Sequence, residues 1–339
     1  MTFSIGYQLP DELESTYALC EDFANTVSDV YFAFGTEPSG RAALCTEAER
    51  EAAEAMQLEE LRAIRRMGKT LTLLYNANCY GAEAASNSLR RRVIALTERL
   101  KKELDITRIT TTSPFIAQTV KANFGNTIRV CSSVNMKIGS ISAMEQLTDF
   151  DGFYVSKECN RDVTNLHRLK EWCDAHGKTL HLLANSGCLP DCAFQIFHDN
   201  LIAHQSEAER IGQADMGYAA PCHRYLAAME PQAAITKFLQ GSFIPPEEIA
   251  RYEPLFSEVK LATRMHSRPR MVLTAYTRGR FTGNLLDLTE PSYSGLLSGW
   301  ILDNTRMPKT WADAAFNCSR QCESCTACAD AVRAATWRI

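Results

Sequence analysis

Apolar residues recur along this chain in short runs, and between the runs lie longer stretches rich in Ala, Glu and Arg. The runs predict strands at Phe3–Gln8, Asp29–Phe34, Thr70–Tyr75, Ile106–Thr111, Ile128–Ser133, Gly152–Ser156, Thr179–Ala184 and Glu258–Thr263. The intervening stretches Glu47–Met67, Ser86–Glu103, Asn165–His176, Phe194–His204 and Pro269–Thr277 read as helices. Glu47–Met56 is a run of strong helix formers without Gly or Pro. Gly68 and Gly177 each precede a Lys-Thr-Leu run, as glycines that end a helix before a strand.

Strands alternating with helices imply parallel β/α units, and eight such units predict an α/β fold, a (β/α)8 TIM-like barrel. An open doubly wound sheet is the weaker expectation, because no Gly-x-Gly-x-x-Gly fingerprint follows the first strand. Past His204 the rhythm loosens, with a polar connection over Gln205–Ala220 leading to Pro221-Cys222-His223-Arg224. It stops after Asp287. The expected division is therefore a barrel over residues 1–287 and a cysteine-rich C-terminal extension over residues 288–339.

A formal net charge of −4 excludes a general nucleic-acid-binding field. The basic run Arg90-Arg91-Arg92 with Lys101-Lys102 reads as the solvated face of one helix. No stretch approaches eighteen consecutive apolar residues and no basic-then-apolar leader opens the chain, so a cytoplasmic protein without a membrane span is expected.

Cysteine changes this picture. Thirteen in 339 residues is well below the roughly 8–10% of a disulfide scaffold, yet seven of them are grouped. Cys188-Leu-Pro-Asp-Cys192 is followed thirty residues on by Cys222, and Cys318-x3-Cys322-x2-Cys325-x2-Cys328 lies near the C-terminus. Short spacing lets one loop wrap one centre, so both groups are expected to bind metal: an iron–sulfur cluster, with zinc as the alternative. Cys20, Cys45, Cys79, Cys131, Cys159 and Cys173 are scattered and read as small buried hydrophobes.

Active sites of such barrels sit at the C-terminal ends of the strands. There the chain offers Gly40-Arg41, Asn76-Ala77-Asn78, Asn135, Lys157-Glu158, Asn185-Ser186-Gly187-Cys188 and Arg264. Asn78, Asn135, Glu158 and Arg264 are the catalytic candidates. Asn at a strand end also serves as a plain turn former. Lys157 and Glu158, if both on a strand, face opposite ways, with Glu158 an acid/base or a partner of Arg264. Arg41 and Arg264 could grip a carboxylate or phosphate, or could form a structural salt bridge at the rim. His198 and His204 are six apart on one helix, on different faces, which argues against a two-histidine metal site.

The stretch Asp151-Gly-Phe-Tyr-Val-Ser-Lys-Glu-Cys-Asn160, followed by a helix and Leu-His-Leu-Leu-Ala-Asn-Ser-Gly-Cys188-Leu, resembles the core of the collagenase-like peptidases of unknown catalytic type. Val259-Lys260-Leu261-Ala262-Thr263-Arg264-Met265 is similar to a second strand of that family, and the likeness spans roughly residues 28 to 285. The family includes iron–sulfur, oxygen-independent hydroxylases of the ubiquinone pathway and proteins required for RNA hydroxylation. The resemblance implies Cys188 and Cys192 as cluster ligands, with Cys222 as a third. Cys45 or a C-terminal cysteine is a candidate fourth. The family's Cys-x4-Gly-x-Cys loop is shortened here, and Ala262-Thr263 replaces Glu-Gly before the arginine, so substrate choice does not carry over.

The leading expectation is an iron–sulfur redox enzyme, an oxygen-independent hydroxylase or related oxidoreductase working anaerobically at the barrel mouth. It would carry one or two 4Fe-4S clusters and take electrons from a donor. Its substrate would be a small molecule or RNA, and a partner subunit is conceivable. A hydrolase is the second reading, weakened by the absence of a Gly-x-Ser-x-Gly elbow or a His-Glu-x-x-His helix. A zinc-stabilised, non-catalytic barrel that binds RNA or a partner is the third. The tail's first three cysteines also match radical-SAM spacing, but they follow the barrel, and Cys328 would fill the open position. The tail is expected to dock through Trp311, Phe316 and Trp337, as an electron relay if near Cys222 and as a staple if remote.

Overall fold

The structure, a computed structural model, describes residues 1–10, 14–41, 43–205 and 220–339. Of the polar connection expected over Gln205–Ala220, residues 206–219 lie outside the described residues. Eight parallel strands form one sheet: β1 (Thr2–Gly6), β2 (Val27–Phe32), β3 (Thr70–Tyr75), β4 (Arg108–Thr111), β5 (Arg129–Ser132), β6 (Gly152–Tyr154), β7 (Thr179–His181) and β8 (Glu258–Lys260). Their order is β7-β6-β5-β4-β3-β2-β1-β8. Beyond β7 the chain closes the circle: Leu183 bridges Lys260, with Lys260 N–H donating to Leu182 O (2.9 Å) and Ala184 N–H to Lys260 O (3.0 Å). The expected TIM-like α/β barrel is the fold that forms.

Alternation along each strand sends one set of side chains outward and the other inward. Phe3 meets Tyr276 of the helix Pro269–Arg278, and Phe153 meets Trp172 of the helix Val163–Ala175, so the outer face is apolar. The helix Asn87–Leu104 covers that layer with Leu89, Val93, Leu100 and Leu104, all buried at helical spacing. Each such side chain contributes about 1.5–3 kcal/mol on burial. Ser86 caps this helix by accepting from Leu89 N–H (3.0 Å). Gly68 and Gly177 follow their helices with φ of 80° and 64°, a region that only glycine enters without strain.

The inner face is polar, where barrels of this class usually pack bulky branched residues. Asp29 is fully buried and accepts from Ser4 Oγ (2.5 Å) and Thr72 Oγ1 (2.6 Å). Arg108 pairs with Glu258 (2.8 Å) and stands 3.9 Å from Asp29. Burial, opposed by Arg108, pushes the Asp29 carboxyl up to about 6. His181 stacks on Tyr154 and touches Thr179 Oγ1 (2.9 Å), and burial drives it down to about 3, so it stays neutral. The Lys260 ammonium lies 3.6 Å from the Tyr31 ring centroid and 5.0 Å from that of Tyr154.

β6 stops at Tyr154, and Lys157–Arg161 is a 3₁₀ turn rather than a continuing strand. Strict alternation therefore does not apply to Lys157 and Glu158. After residue 287 the chain stays on the barrel: Leu288 and Tyr293 are fully buried, and Glu290 N–H donates to Asn185 O (3.0 Å). The tail adds a two-stranded antiparallel ribbon, Trp300–Leu302 with Thr336–Arg338, and the helices Lys309–Phe316 and Ala327–Ala335. It docks rather than dangles. Cys318 N–H donates to Arg161 O (2.8 Å), and Arg320 donates to Gln240 O, Glu158 O and Ser242 Oγ. Trp311 is buried and Phe316 packs on Tyr252, whereas Trp337 lies at the surface, with Arg306 over its ring.

Candidate active site at the barrel mouth

The loop after β2 brings Gly40 and Arg41 over the strand ends. Gly40 N–H donates to Asn76 Oδ1 (3.2 Å), and a Cβ there would stand 2.9 Å from Asn135 Nδ2 and 3.0 Å from Asn76 Nδ2. Glycine is needed for this close approach. It sets Arg41 Nε 2.7 Å from Glu290 Oε1. Burial opposes ionisation of Glu290, but Arg41 outweighs it and lowers the carboxyl pKa. Glu290 in turn, against burial, raises the Arg41 guanidinium.

Arg264, at the end of β8, is buried, and its Nη1 has no hydrogen-bond partner. Burial first, then the Arg41 charge, lowers its pKa to about 10. Gly6 leaves room for its backbone, since a Cβ at Gly6 would fall 2.6 Å from Arg264 Cβ. A buried guanidinium with an idle donor, aimed among Arg41, Glu290 and Tyr31, suits an anionic group that arrives from outside.

Across the mouth, Asn135 Nδ2 donates to Asn78 Oδ1 (3.1 Å) and Asn78 Nδ2 donates to Asp199 Oδ2 (2.9 Å). Gln195 Nε2 also reaches Asp199 (3.3 Å). The Asp199 charge acts on both Arg41 and Lys157, which ties this chain of amides to the cationic side of the opening. Asn78, Asn135 and Arg264 thus share one opening. Glu158 instead accepts from Ser156 Oγ, and its Oε1 is buried without a partner. Its expected pairing with Arg264 does not form; the carboxylate whose charge Arg264 feels is Glu290, which is itself bonded to Arg41. Asn185 is a structural pin: it accepts from Ala262 N–H (2.6 Å) and donates to Ala262 O and Leu288 O.

Cys188, Cys192 and Cys222 gather on the same side. The Tyr293 phenol, which donates to Gly187 O (2.8 Å), feels all three thiols, and burial pushes it well up. Burial, then Cys192 and Cys188, pushes the Cys222 thiol up to about 11. Lys157 is buried and hydrogen-bonds Cys188; burial disfavours its charge, but Cys188 and Glu158 outweigh this and raise its pKa. Cys45 has Glu49, Glu54 and Glu47 as charged neighbours, a poor setting for another thiolate. His198 lies among Asp199, Arg41, His223 and Lys157, while His204 lies against Gly81, so the two do not form a site.

Among the described residues, no three His, Cys, Asp or Glu side chains already converge closely enough to hold one metal ion. The donor chemistry at the mouth nonetheless fits a thiolate-bound group. Three soft donors share one neighbourhood, the cations Lys157 and Arg41 offset their charge, and cysteine χ1 moves between staggered wells at low cost. The tail cysteines Cys318, Cys322, Cys325 and Cys328 line one cavity of their own.

Glu290, Asp199 and Tyr293 were missed by sequence reasoning. Glu290 and Tyr293 fall beyond the last β/α unit and are brought to the mouth by contacts distant in sequence, with residues 185–187 and, for Glu290, with Arg41. Asp199 sits on the helix Gln195–Ala203 with no local motif to distinguish it.

No protein-family model matches the chain, and no curated protein matches it. Solved structures do. A U32 peptidase, Mk0906, is 14% identical, covers 78% of this chain and 93% of its own, and superposes with a TM-score of 0.54. A chitinase from Rhizomucor miehei is 12% identical over 83% of this chain and all of its own, with a TM-score of 0.41. A mandelate racemase/muconate lactonizing protein from Paracoccus denitrificans is 13% identical over 60% of this chain and 50% of its own, at 0.33. The chain is thus similar in fold to a U32 peptidase of the collagenase-like type, and the likeness is one of fold alone.

Proposed function

We propose that the protein is an iron–sulfur redox enzyme that acts at the C-terminal mouth of its barrel, as an oxygen-independent hydroxylase or related oxidoreductase on a small anionic substrate. The observation that carries this reading is the grouping of Cys188, Cys192 and Cys222 around Tyr293, beside Lys157 and facing the Arg41–Glu290 pair. These three cysteines would hold the cluster, whose bound iron supplies one-electron chemistry that no side chain can. Arg264 would bind the substrate's anionic group through its idle Nη1. Asn78 and Asn135 would orient neutral polar atoms of the substrate, held in place by Asp199. Lys157, hydrogen-bonded to Cys188, would keep its positive charge and offset the negative charge of the ligand set.

The test is metal content and colour. Anaerobically purified protein should contain iron and acid-labile sulfide and absorb broadly in the visible. Joint substitution Cys188→Ala, Cys192→Ala and Cys222→Ala should remove one cluster's share and leave the circular-dichroism spectrum intact. Full iron in that variant, or zinc without sulfide in the parent, would overturn the reading. Peptide hydrolysis by iron-free protein would replace it with the peptidase activity for which the structural neighbour is named.

A further inference from the structure

The tail and the turn Lys157–Arg161 build a second site outside the mouth. Cys318, Cys322, Cys325 and Cys328 line one small cavity, open to solvent on one side, together with Arg161, Trp311 and Gln240. Cys328 lies in the first turn of the helix Ala327–Ala335, and its Sγ accepts from Trp311 Nε1 (3.4 Å). Cys325 is the exposed member of the four. Among the described residues, the only charged side chain on the cavity wall is Arg161.

Arg161 makes the site more than a run of cysteines. It is 3% exposed, donates to Leu239 O and Phe243 O at 2.8 Å, and lies over the Phe243 and Trp311 rings. Its hydrogen bonds go to neutral carbonyls, and among the described residues no carboxylate pairs with it. A buried guanidinium without a counter-charge is costly, so buried charges are normally paired. The titratable groups that act on it are Cys328, Arg320, Tyr252 and Cys318. Four metal-bound thiolates would supply the missing negative charge.

The four cysteines lie within eleven residues and face one cavity, so one loop supplies a complete set of soft donors.

We propose that Cys318, Cys322, Cys325 and Cys328 hold a 4Fe-4S cluster, with Arg161 as its buried counter-charge. The cluster has solvent on the Cys325 side and the turn Lys157–Arg161 on the other. That turn is about 8 Å of 3₁₀ backbone, at about 2.0 Å per residue, and its far end is Lys157, which bonds Cys188. The cluster therefore stands where a one-electron donor protein could deliver one electron inward. That role, unlike the binding itself, rests on the mouth being a redox site.

The test uses the full chain, purified anaerobically, in the Cys188→Ala/Cys192→Ala/Cys222→Ala background. This protein should retain about four iron and four sulfide per chain. Adding Cys325→Ser should abolish them, and because Cys325 is exposed the fold should be unchanged by circular dichroism. Arg161→Met, in a chain that still folds and binds iron, should shift the tail cluster's reduction potential to more negative values, since removing a nearby cation disfavours the extra electron. Arg161→Lys should restore most of the shift. Iron lost with the mouth substitutions and untouched by Cys325→Ser would overturn the tail cluster while leaving the mouth reading standing. The converse would overturn the mouth reading alone. Zinc in place of iron, or a potential indifferent to Arg161, would also overturn the proposal.

Discussion

The Arg41–Glu290 pair offers the sharpest test of how the mouth is held together. Replacing Glu290 with Gln keeps shape and removes the charge that separates two guanidinium groups, Arg41 and Arg264. At 2.7 Å and an effective dielectric of about 20, the gross attraction between Arg41 and Glu290 is roughly 6 kcal/mol. Desolvation of both partners cancels much of this, and the Arg41 side chain is 34% exposed, so solvent screens it further. A net coupling of about 1–3 kcal/mol is expected from a double-mutant cycle of Glu290→Gln and Arg41→Met, read by urea unfolding at pH 7. Glu290→Gln alone should cost about 3 kcal/mol, because it leaves Arg41 and the idle Nη1 of Arg264 facing each other. The same variant should bind inorganic phosphate more tightly than the parent, since both guanidinium groups become available. A coupling below about 0.5 kcal/mol would mean that the pair is a rim contact and that Glu290 does not organise the site.

Three further outcomes follow from the same structure. His181, held neutral down to about 3 against about 6.5 when unfolded, makes the unfolded chain the better proton acceptor between those values, so its stability contribution is full above pH 6.5 and is lost as the pH falls. By pH 5 the loss is about 2 kcal/mol. Asp29, raised to about 6, works in the opposite sense over pH 6 to 4, so the measurement is the difference between parent and His181→Gln, and identical pH slopes would refute the assignment. Gly152→Ala should cost about 1–3 kcal/mol by thermal or urea unfolding, because the new Cβ would lie 2.2 Å from Thr179 Oγ1 and 3.1 Å from Cys131 Sγ inside the barrel; an unchanged midpoint would show that the interior yields freely. Arg264→Met should stabilise the metal-free chain by about 1–3 kcal/mol, by removing a buried donor that has no partner, and should weaken phosphate binding; loss of stability would make Arg264 a structural residue instead.

The alternation of the chain by itself determined the barrel. All eight strands stand where the apolar runs lie, because each needs an apolar outer face against a helix, and that requirement is written locally every second residue. The glycines at 68 and 177 were legible for a similar reason: their positive φ is a property of one residue. The two cysteine groups were legible because close spacing needs no tertiary knowledge. What only the tertiary structure decided were the partners across the sequence. Glu290 reaches Arg41 over 249 positions, Arg161 comes to the tail cysteines from a turn after β6, and Asp29 is sewn into a polar interior by Ser4, Thr72 and Arg108. None of these residues sits in a motif. A charge inside a barrel is set by which strands become neighbours when the sheet closes, and closure is a property of the whole circle rather than of any one strand.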